Sequence, residues 1–377
     1  MGLKDNGRRD RRHVTGQRRA DVVAKVRDLE RQRDQGVAGR AGRSPTVGEW
    51  LQHWLDTIAV ARVRPSTLGR YRSIVANQLV PKLGHHHIDR LRPEHIERAW
   101  SELLATGLSP ATVLQAHRVL SRSLKVAMQR GRIARNPATL ADAPSVPRTE
   151  VRPFSAEEAR RILDVARGHR NGARWAVALA LGLRQGEALG LPWDAVDLDR
   201  GSLRVRQALQ RQPGKGLVII EPKSYAGRRT IAVPGPLVDL LREHRAAQEA
   251  ERKAAGDLWH EHGLVFVQAD GKPIDPHRDY ALWQRLLREA GVPRARLHDA
   301  RHTAATVMLT MGVPPRVAMQ VLGHSQISLT LGTYSHVMPE LATEAADRIG
   351  EALWGTGTRA TDPGPPPRPP RAPGRGR

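Results

Sequence analysis

The chain has no cysteine, which excludes disulfide cross-links, thiolate zinc sites and cysteine nucleophiles together. It has no apolar run near the roughly 18 residues that a membrane span needs, and its charged beginning lacks the apolar stretch of a secretion signal. A soluble, cytoplasmic protein without membrane contact is expected. Acidic residues are scarce: 38 Asp and Glu face 61 Lys and Arg in 377 residues, a net charge of +23. A field of that sign attracts polyanions, nucleic acid foremost. Residues 1–43 hold 13 Lys and Arg against 6 Asp and Glu, and residues 355–377 hold 5 against 1. About half of the excess therefore belongs to the middle of the chain, so affinity for a polyanion need not reside in the ends.

Length allows two domains of ordinary size. Residues 1–43 form a basic extension with one helix-like segment, in which Val22, Val26 and Leu29 share a face and Gly36 is a stop signal. A helical domain over 44–135 starts at Thr46, where TVGE fits a capping box ahead of Trp50, Leu51, Trp54, Leu55 and Ile58 at helical spacing. Ser66, Pro93 and Ser109-Pro110 mark three more helix starts. Along the last of these four helices Arg118, Arg122 and Lys125 fall on one polar side, with Arg130 and Arg132 following. Such a face is either simply solvated or a contact for phosphates.

Residues 136–153, NPATLADAPSVPRTEVRP, lack periodicity and read as a linker. A second domain, 154–354, opens on a capping box of Ser155 and Glu158. SLRVRQAL, LVIIEP and RTIAVP then read as strands of one small antiparallel sheet inside an otherwise helical unit, with Lys223 at a hairpin between the last two. Residues 355–377, rich in Pro, Gly and Arg, have no side chains to build a core and read as a disordered tail. The fold expected is mainly α with a small antiparallel β-sheet, the second domain being α+β.

Chemistry concentrates in the second domain. In HDARHT, His298 and Arg301 stand three apart and share a helix face, and an arginine fork can grip two phosphate oxygens at once. Gly312 ends that helix and Pro314-Pro315 starts the next, which runs into LGHS with His324 just past a glycine. Tyr334 follows ten residues beyond His324. Each of these alone has an ordinary structural reading, as a surface pair, a helix-end cap or a core tyrosine. Their joint occurrence with Arg184 in GLRQGE and Lys223 in EPKSYAGRR does not.

The order Arg184, Lys223, HxxR, LGHS, Tyr334 resembles the tyrosine recombinase, or phage integrase, family over about residues 44–354. The resemblance implies an N-terminal core-binding domain, SAM-like in fold, and a C-terminal catalytic domain that together clamp double-stranded DNA at attachment sites. It implies that Tyr334 attacks the scissile phosphate and forms a 3′-phosphotyrosine. Arg184 and Arg301 would bind the non-bridging oxygens, and His324 would donate to the same phosphate. Lys223 would protonate the leaving 5′-oxygen, and His298 would move a proton at the tyrosine or position the phosphate. Glu187 matches the family's acidic position and would orient its neighbours. Clustered cations lower the cost of a phenolate whose ordinary pKa is about 10, so no metal, ATP or other cofactor is expected.

The helix expected after Tyr334, with Leu341, Ala345, Ile349 and Leu353 at helical spacing, either packs on its own domain or, as the resemblance implies, docks on a neighbour to link a tetramer on DNA. A directionality factor or a host DNA-bending protein is a further candidate partner. Two departures stand out: Ala300 replaces the Leu frequent inside HxxR, and only a basic stretch with one helix precedes Thr46, where many mobile-element integrases carry a small arm-binding sheet. The favoured reading is a site-specific integrase of a phage or integrative element. An Xer-type resolvase of chromosomes or plasmids, a type IB topoisomerase and a catalytically silent DNA-binding regulator stay open.

Overall fold

The structure of the chain is a computed structural model that describes residues 14–34, 44–147, 152–212, 214–221 and 227–323, with 349, 350 and 353. The chain divides into two compact units, Met1–Glu150 with Gln212–Gly214 and Val151–Arg211 with Lys215–Arg377.

In the first unit, α1 (Arg19–Asp34) turns Val22, Val26 and Leu29 to one half-buried side, and its other described side chains are exposed. α2 (Val47–His53) begins at the expected cap: the Thr46 hydroxyl accepts from the Glu49 amide, and the Glu49 carboxylate accepts from the Thr46 amide at 2.7 Å. The helix then widens into a π-helical stretch, Trp54–Ala59, where Val60 N donates to Leu55 O at 3.2 Å. The sequence explains the widening. Apolar pairs recur at 50–51, 54–55 and 58–59, every four residues, whereas an α-turn takes 3.6, and i→i+5 bonds keep every pair facing inward. The same repeat of four, at Val75, Leu79 and Leu83, accompanies a second π stretch, Val75–Leu79, between α3 (Pro65–Ile74) and α4 (Val80–Leu83).

α3 starts one residue before the expected Ser66, because Pro65 takes the first helical position, where its missing N–H costs nothing. α5 (Pro93–Ala105) and α6 (Pro110–Gln129) start as expected, α6 capped by Ser109. Trp50 of α2 donates from its indole to Ser123 O of α6 at 3.2 Å, a buried bond that fixes the two helices against each other. The linker expected from 136 begins later. Asn136 bonds Ser121 O at 2.9 Å and caps a 3₁₀ turn (Pro137–Thr139), and Ala138 and Ala141 are buried in the first core. Small side chains let this polar-looking stretch lie flat on the bundle.

In the second unit the Ser155–Glu158 capping box starts α7 (Ala156–Ala166). It is followed by α8 (Gly172–Leu181) and α9 (Gln185–Leu189). The strands form two small sheets instead of the single one expected. β1 (Val196–Asp197), β2 (Ser202–Val205) and β5 (Arg229–Ala232) make an antiparallel sheet in the order β1-β2-β5, while β3 (Ala208–Gln212) pairs with β4 (Gly216–Ile220). RTIAVP therefore pairs with SLRV, and among the described residues LVIIEP pairs with Ala208–Gln212 instead. α10 (Gly235–Ala255), α11 (Pro276–Glu289), α12 (Leu297–Thr310) and α13 (Pro315–Leu322) follow among the described residues. The apolar run at 264–267 is extended and meets residues 191–193, with Val265 N donating to Leu191 O at 2.8 Å. No helix among the described residues is long and apolar enough to cross a membrane.

Candidate active site

Three arginines distant in sequence converge on the C-terminal end of α13. The last carbonyls of a helix have no partner within it and carry the negative end of its dipole. Here Val321 O accepts from Arg229 Nε at 2.6 Å, Leu322 O from Arg301 Nη2, and Gly323 O from Arg184 Nη2 at 2.9 Å. Gly323 caps the helix in the left-handed conformation, φ 67°, and His324 is the next residue.

Each arginine is delivered by a different local device. α8 stops at Gly182, also left-handed at φ 61°, and the chain turns so that Arg184, with extended backbone, precedes α9. Glu187, on the first turn of α9, accepts from the Arg184 amide at 3.1 Å and from its Nη1 at 2.7 Å. Arg301 comes from α12, whose start is fixed by Asp299 accepting from Arg296 N at 2.7 Å. It is 2% exposed, and its Nη1 donates to Gly182 O at 2.6 Å. Arg229 opens β5 and follows the alternation of that strand, on the same side as buried Ile231. Its guanidinium holds both oxygens of Glu187, Nη2 to Oε2 at 2.8 Å and Nη1 to Oε1 at 3.3 Å.

The electrostatics follow from this packing. Burial of Glu187 is the largest influence on its pKa and would raise it, but hydrogen bonds and charge from Arg229 and then Arg184 outweigh burial and hold it below its ordinary value. The carboxylate thus stays ionised. Its two cations differ in access: the Arg184 side chain is 43% exposed and that of Arg229 is 7%. His298, one turn before Arg301, keeps an exposed surface, yet the protein around it removes enough hydration to push its pKa down to about 4, with His302 and Arg301 adding repulsion. Its ring meets His302 edge to face at 4.9 Å between centroids. At neutral pH it is an uncharged imidazole, able to accept a proton.

Of the residues singled out in the sequence, Arg184 and Arg301 meet at one helix end, Glu187 binds the first of them, and His298 lies within electrostatic reach of Arg301. Lys223, His324, Tyr334, Leu341 and Ala345 lie outside the described residues. Arg229 is the addition. The signal for it is the period of two in RTIAV: an arginine in register with Ile231 and Val233 faces inward and needs a carboxylate partner. In the first unit, Arg118, Arg122 and Lys125 are exposed along α6, and Arg122 donates to Tyr71 Oη at 3.1 Å over a Tyr71 ring that stacks on Trp54.

Comparison with known proteins finds matches to both units. Residues 153–340 match the phage integrase family and residues 46–104 match the phage integrase N-terminal SAM-like domain. The chain is 39% identical to an integrase of Saccharopolyspora erythraea over 94% of this chain and 93% of that protein. It is 30% identical to a XerC-like tyrosine recombinase of Caldanaerobacter subterraneus subsp. tengcongensis over 93% of this chain and 94% of that one. In fold it resembles the Tn1549 transposon integrase in complex with a circular intermediate DNA, with a TM-score of 0.68 at 21% identity over 81% of this chain and 100% of that one. It also resembles lambda integrase as a tetramer bound to a Holliday junction, with a TM-score of 0.56 at 15% identity over 88% and 93%.

Proposed function

The chain belongs to the phage integrase family of tyrosine recombinases, and we propose that it integrates or excises a mobile element by cutting and rejoining DNA through a 3′-phosphotyrosine. The observation that carries this reading is the convergence of Arg184 and Arg301 on the helix end that leads into His324.

In the proposed reaction the Tyr334 phenol oxygen attacks the scissile phosphorus, and the bond to the 5′-oxygen breaks. Neutral His298 takes the phenol proton, and Lys223 supplies a proton to the departing 5′-oxygen. Arg184 and Arg301 hold the non-bridging oxygens, where negative charge rearranges most in the transition state, and His324 donates to the same phosphate. Attack by a 5′-hydroxyl on the phosphotyrosine reverses these transfers and reseals a strand, so no ATP is consumed. Self-association through the segment after Tyr334, into a tetramer on DNA, would couple cutting to assembly.

The test is a nicked duplex of a candidate attachment site, mixed with protein and denatured. The wild type forms a covalent adduct and Tyr334→Phe binds without forming one. An adduct of equal yield from Tyr334→Phe would remove Tyr334 from its role. The XerC-like relative keeps a second reading, a resolvase of chromosome or plasmid dimers. Recombination between two copies of one site, with no reaction between two different sites, would select it.

A further inference from the structure

Arg229 ends the segment EPKSYAGRR that carries Lys223 and has no part in the proposed reaction, yet its side chain is bonded into the site. Its Nε donates to Val321 O at 2.6 Å, its two Nη groups span the carboxylate of Glu187, and its Nη1 also donates to Gly227 O at 3.3 Å. We propose that Arg229 is the positioning residue of the site: it keeps Glu187 partnered when Arg184 leaves that carboxylate to grip a DNA phosphate. The proposal rests on the recombinase reading and adds to it the residue that makes Arg184 exchangeable.

Glu187 is shared by two guanidinium groups, one half open to solvent and one buried. An arginine that closes its fork on a phosphate redirects both Nη groups, and for Arg184 that means giving up the 2.7 Å bond from Nη1 to Glu187. If Arg184 were the sole counter-ion, its departure would leave a buried carboxylate unpaired, and that penalty would hold it back. Arg229 removes the penalty because it satisfies both carboxylate oxygens itself. It can do so without moving, since β5 is fixed by its register with β2, Val205 opposite Arg229. The bond to Val321 O ties the same strand to the α13 end. Arg229 thus follows Lys223 by six residues in sequence and is bonded to the helix that precedes His324.

Without Arg229, burial of Glu187 would be opposed by Arg184 alone, so Glu187 would titrate at higher pH and, while ionised, would bind Arg184 more tightly. The charged groups acting on Glu187 are Arg184 from the start of α9 and Arg229 from β5.

The experiment compares single-turnover adduct formation on the nicked duplex, and DNA affinity, for wild type, Arg229→Gln, Arg229→Lys and the double variant Arg229→Gln with Glu187→Gln. Expected is a rate loss of at least tenfold for Arg229→Gln with affinity within threefold of wild type. The loss should become smaller as pH is lowered, because protonation of Glu187 frees Arg184. Arg229→Lys, which keeps charge without a bidentate fork, should fall between. The double variant should cleave faster than Arg229→Gln, because a neutral amide at position 187 cannot sequester Arg184. A role in folding alone would lower melting temperature without that pH profile or that rescue. A carboxyl carbon NMR titration of Glu187 supplies a readout independent of activity: below its ordinary value of 4.5 in wild type, above it in Arg229→Gln. Wild-type rates at every pH in Arg229→Gln, or a Glu187 titration that does not move, would overturn the proposal. A moved titration with no adduct from the wild type would instead count against the recombinase reading and leave the partnering role standing.

Discussion

Arg184 and Arg301 donate to adjacent carbonyls of one helix end, Arg184 to Gly323 at 2.9 Å and Arg301 to Leu322. Two cations that would repel each other in isolation are held together by the negative end of α13, and the same contact fixes where the chain leaves that helix for His324. Arg301→Lys keeps the charge and loses the planar fork, so Gly182 O and Leu322 O cannot both keep a donor. A buried carbonyl left without one costs about 1–3 kcal/mol. We therefore expect urea unfolding of Arg301→Lys to show a loss of about that size, with adduct formation on a nicked duplex falling at least a hundredfold. Unchanged stability would mean that the two carbonyls find other donors.

Gly182→Ala tests the approach of α8 to α13. The residue is left-handed, φ 61°, and an added Cβ would lie 2.6 Å from Leu322 Cδ2, 3.2 Å from Ala304 Cβ and 3.3 Å from Arg301 Cγ. Leu322 and Ala304 are themselves buried and have little room to yield. A left-handed alanine costs about 1–2 kcal/mol and overpacking adds about 1–3, so a total of about 2–5 kcal/mol is expected. Gly131, at φ 65° with open space around its Cβ position, supplies the control. Gly131→Ala should lose only the conformational part, about 1–2 kcal/mol. Equal losses at the two positions in chemical denaturation would refute the steric account.

Histidines make stability fall as pH is lowered. Burial lowers the pKa of His117, His244 and His302, and pushes that of His298 to about 4. In the unfolded chain these rings take up protons near pH 6.5. The contribution of these groups is therefore complete above that value and lost as pH falls from about 6.5 towards 4, where the unfolded state binds more protons. Urea midpoints should stay level from pH 8 to about pH 7 and decrease from there to pH 5, and His298→Gln should flatten that decrease. A phosphate near His298 acts in the opposite sense, raising its pKa, so DNA binding should take up protons, seen as a binding heat that varies with buffer ionisation enthalpy at pH 5.5.

How much of this is legible in the residues differs by kind of signal. Local chemistry is readable: Thr46 with Glu49, Ser109 with Pro110 and Ser155 with Glu158 each start a helix, and Gly312 and Gly323 follow helix ends. These depend on the backbone within four residues. Strand pairing is not, because RTIAV carries the same alternation whichever strand it joins, and only long-range packing matches it to SLRV. The arginine cluster is half legible. Motif order brings Arg184 and Arg301 forward, while Arg229 needs its strand parity to be read as an inward charge. The packed segment at 136–141 escapes such reading because alanines among prolines give no period.

Arg118, Arg122 and Lys125 are exposed along α6 and suit phosphate contact through charge and not through shape. Arg122 is held to Tyr71 Oη at 3.1 Å with its guanidinium 6.0 Å from the ring centre. Its position is therefore set before DNA arrives, and it should lose less side-chain entropy on binding than the other two. If each neutralises one phosphate, replacing it by Gln lowers the slope of log K against log salt by about 0.9. The triple variant should weaken binding to all duplexes alike, and the single loss should be largest for Arg122→Gln. Tyr71→Phe, which removes only the hydroxyl, should reproduce part of the Arg122→Gln loss without changing the salt slope. A triple variant with the wild-type slope would assign this face to solvent and move the phosphate contacts elsewhere on the chain.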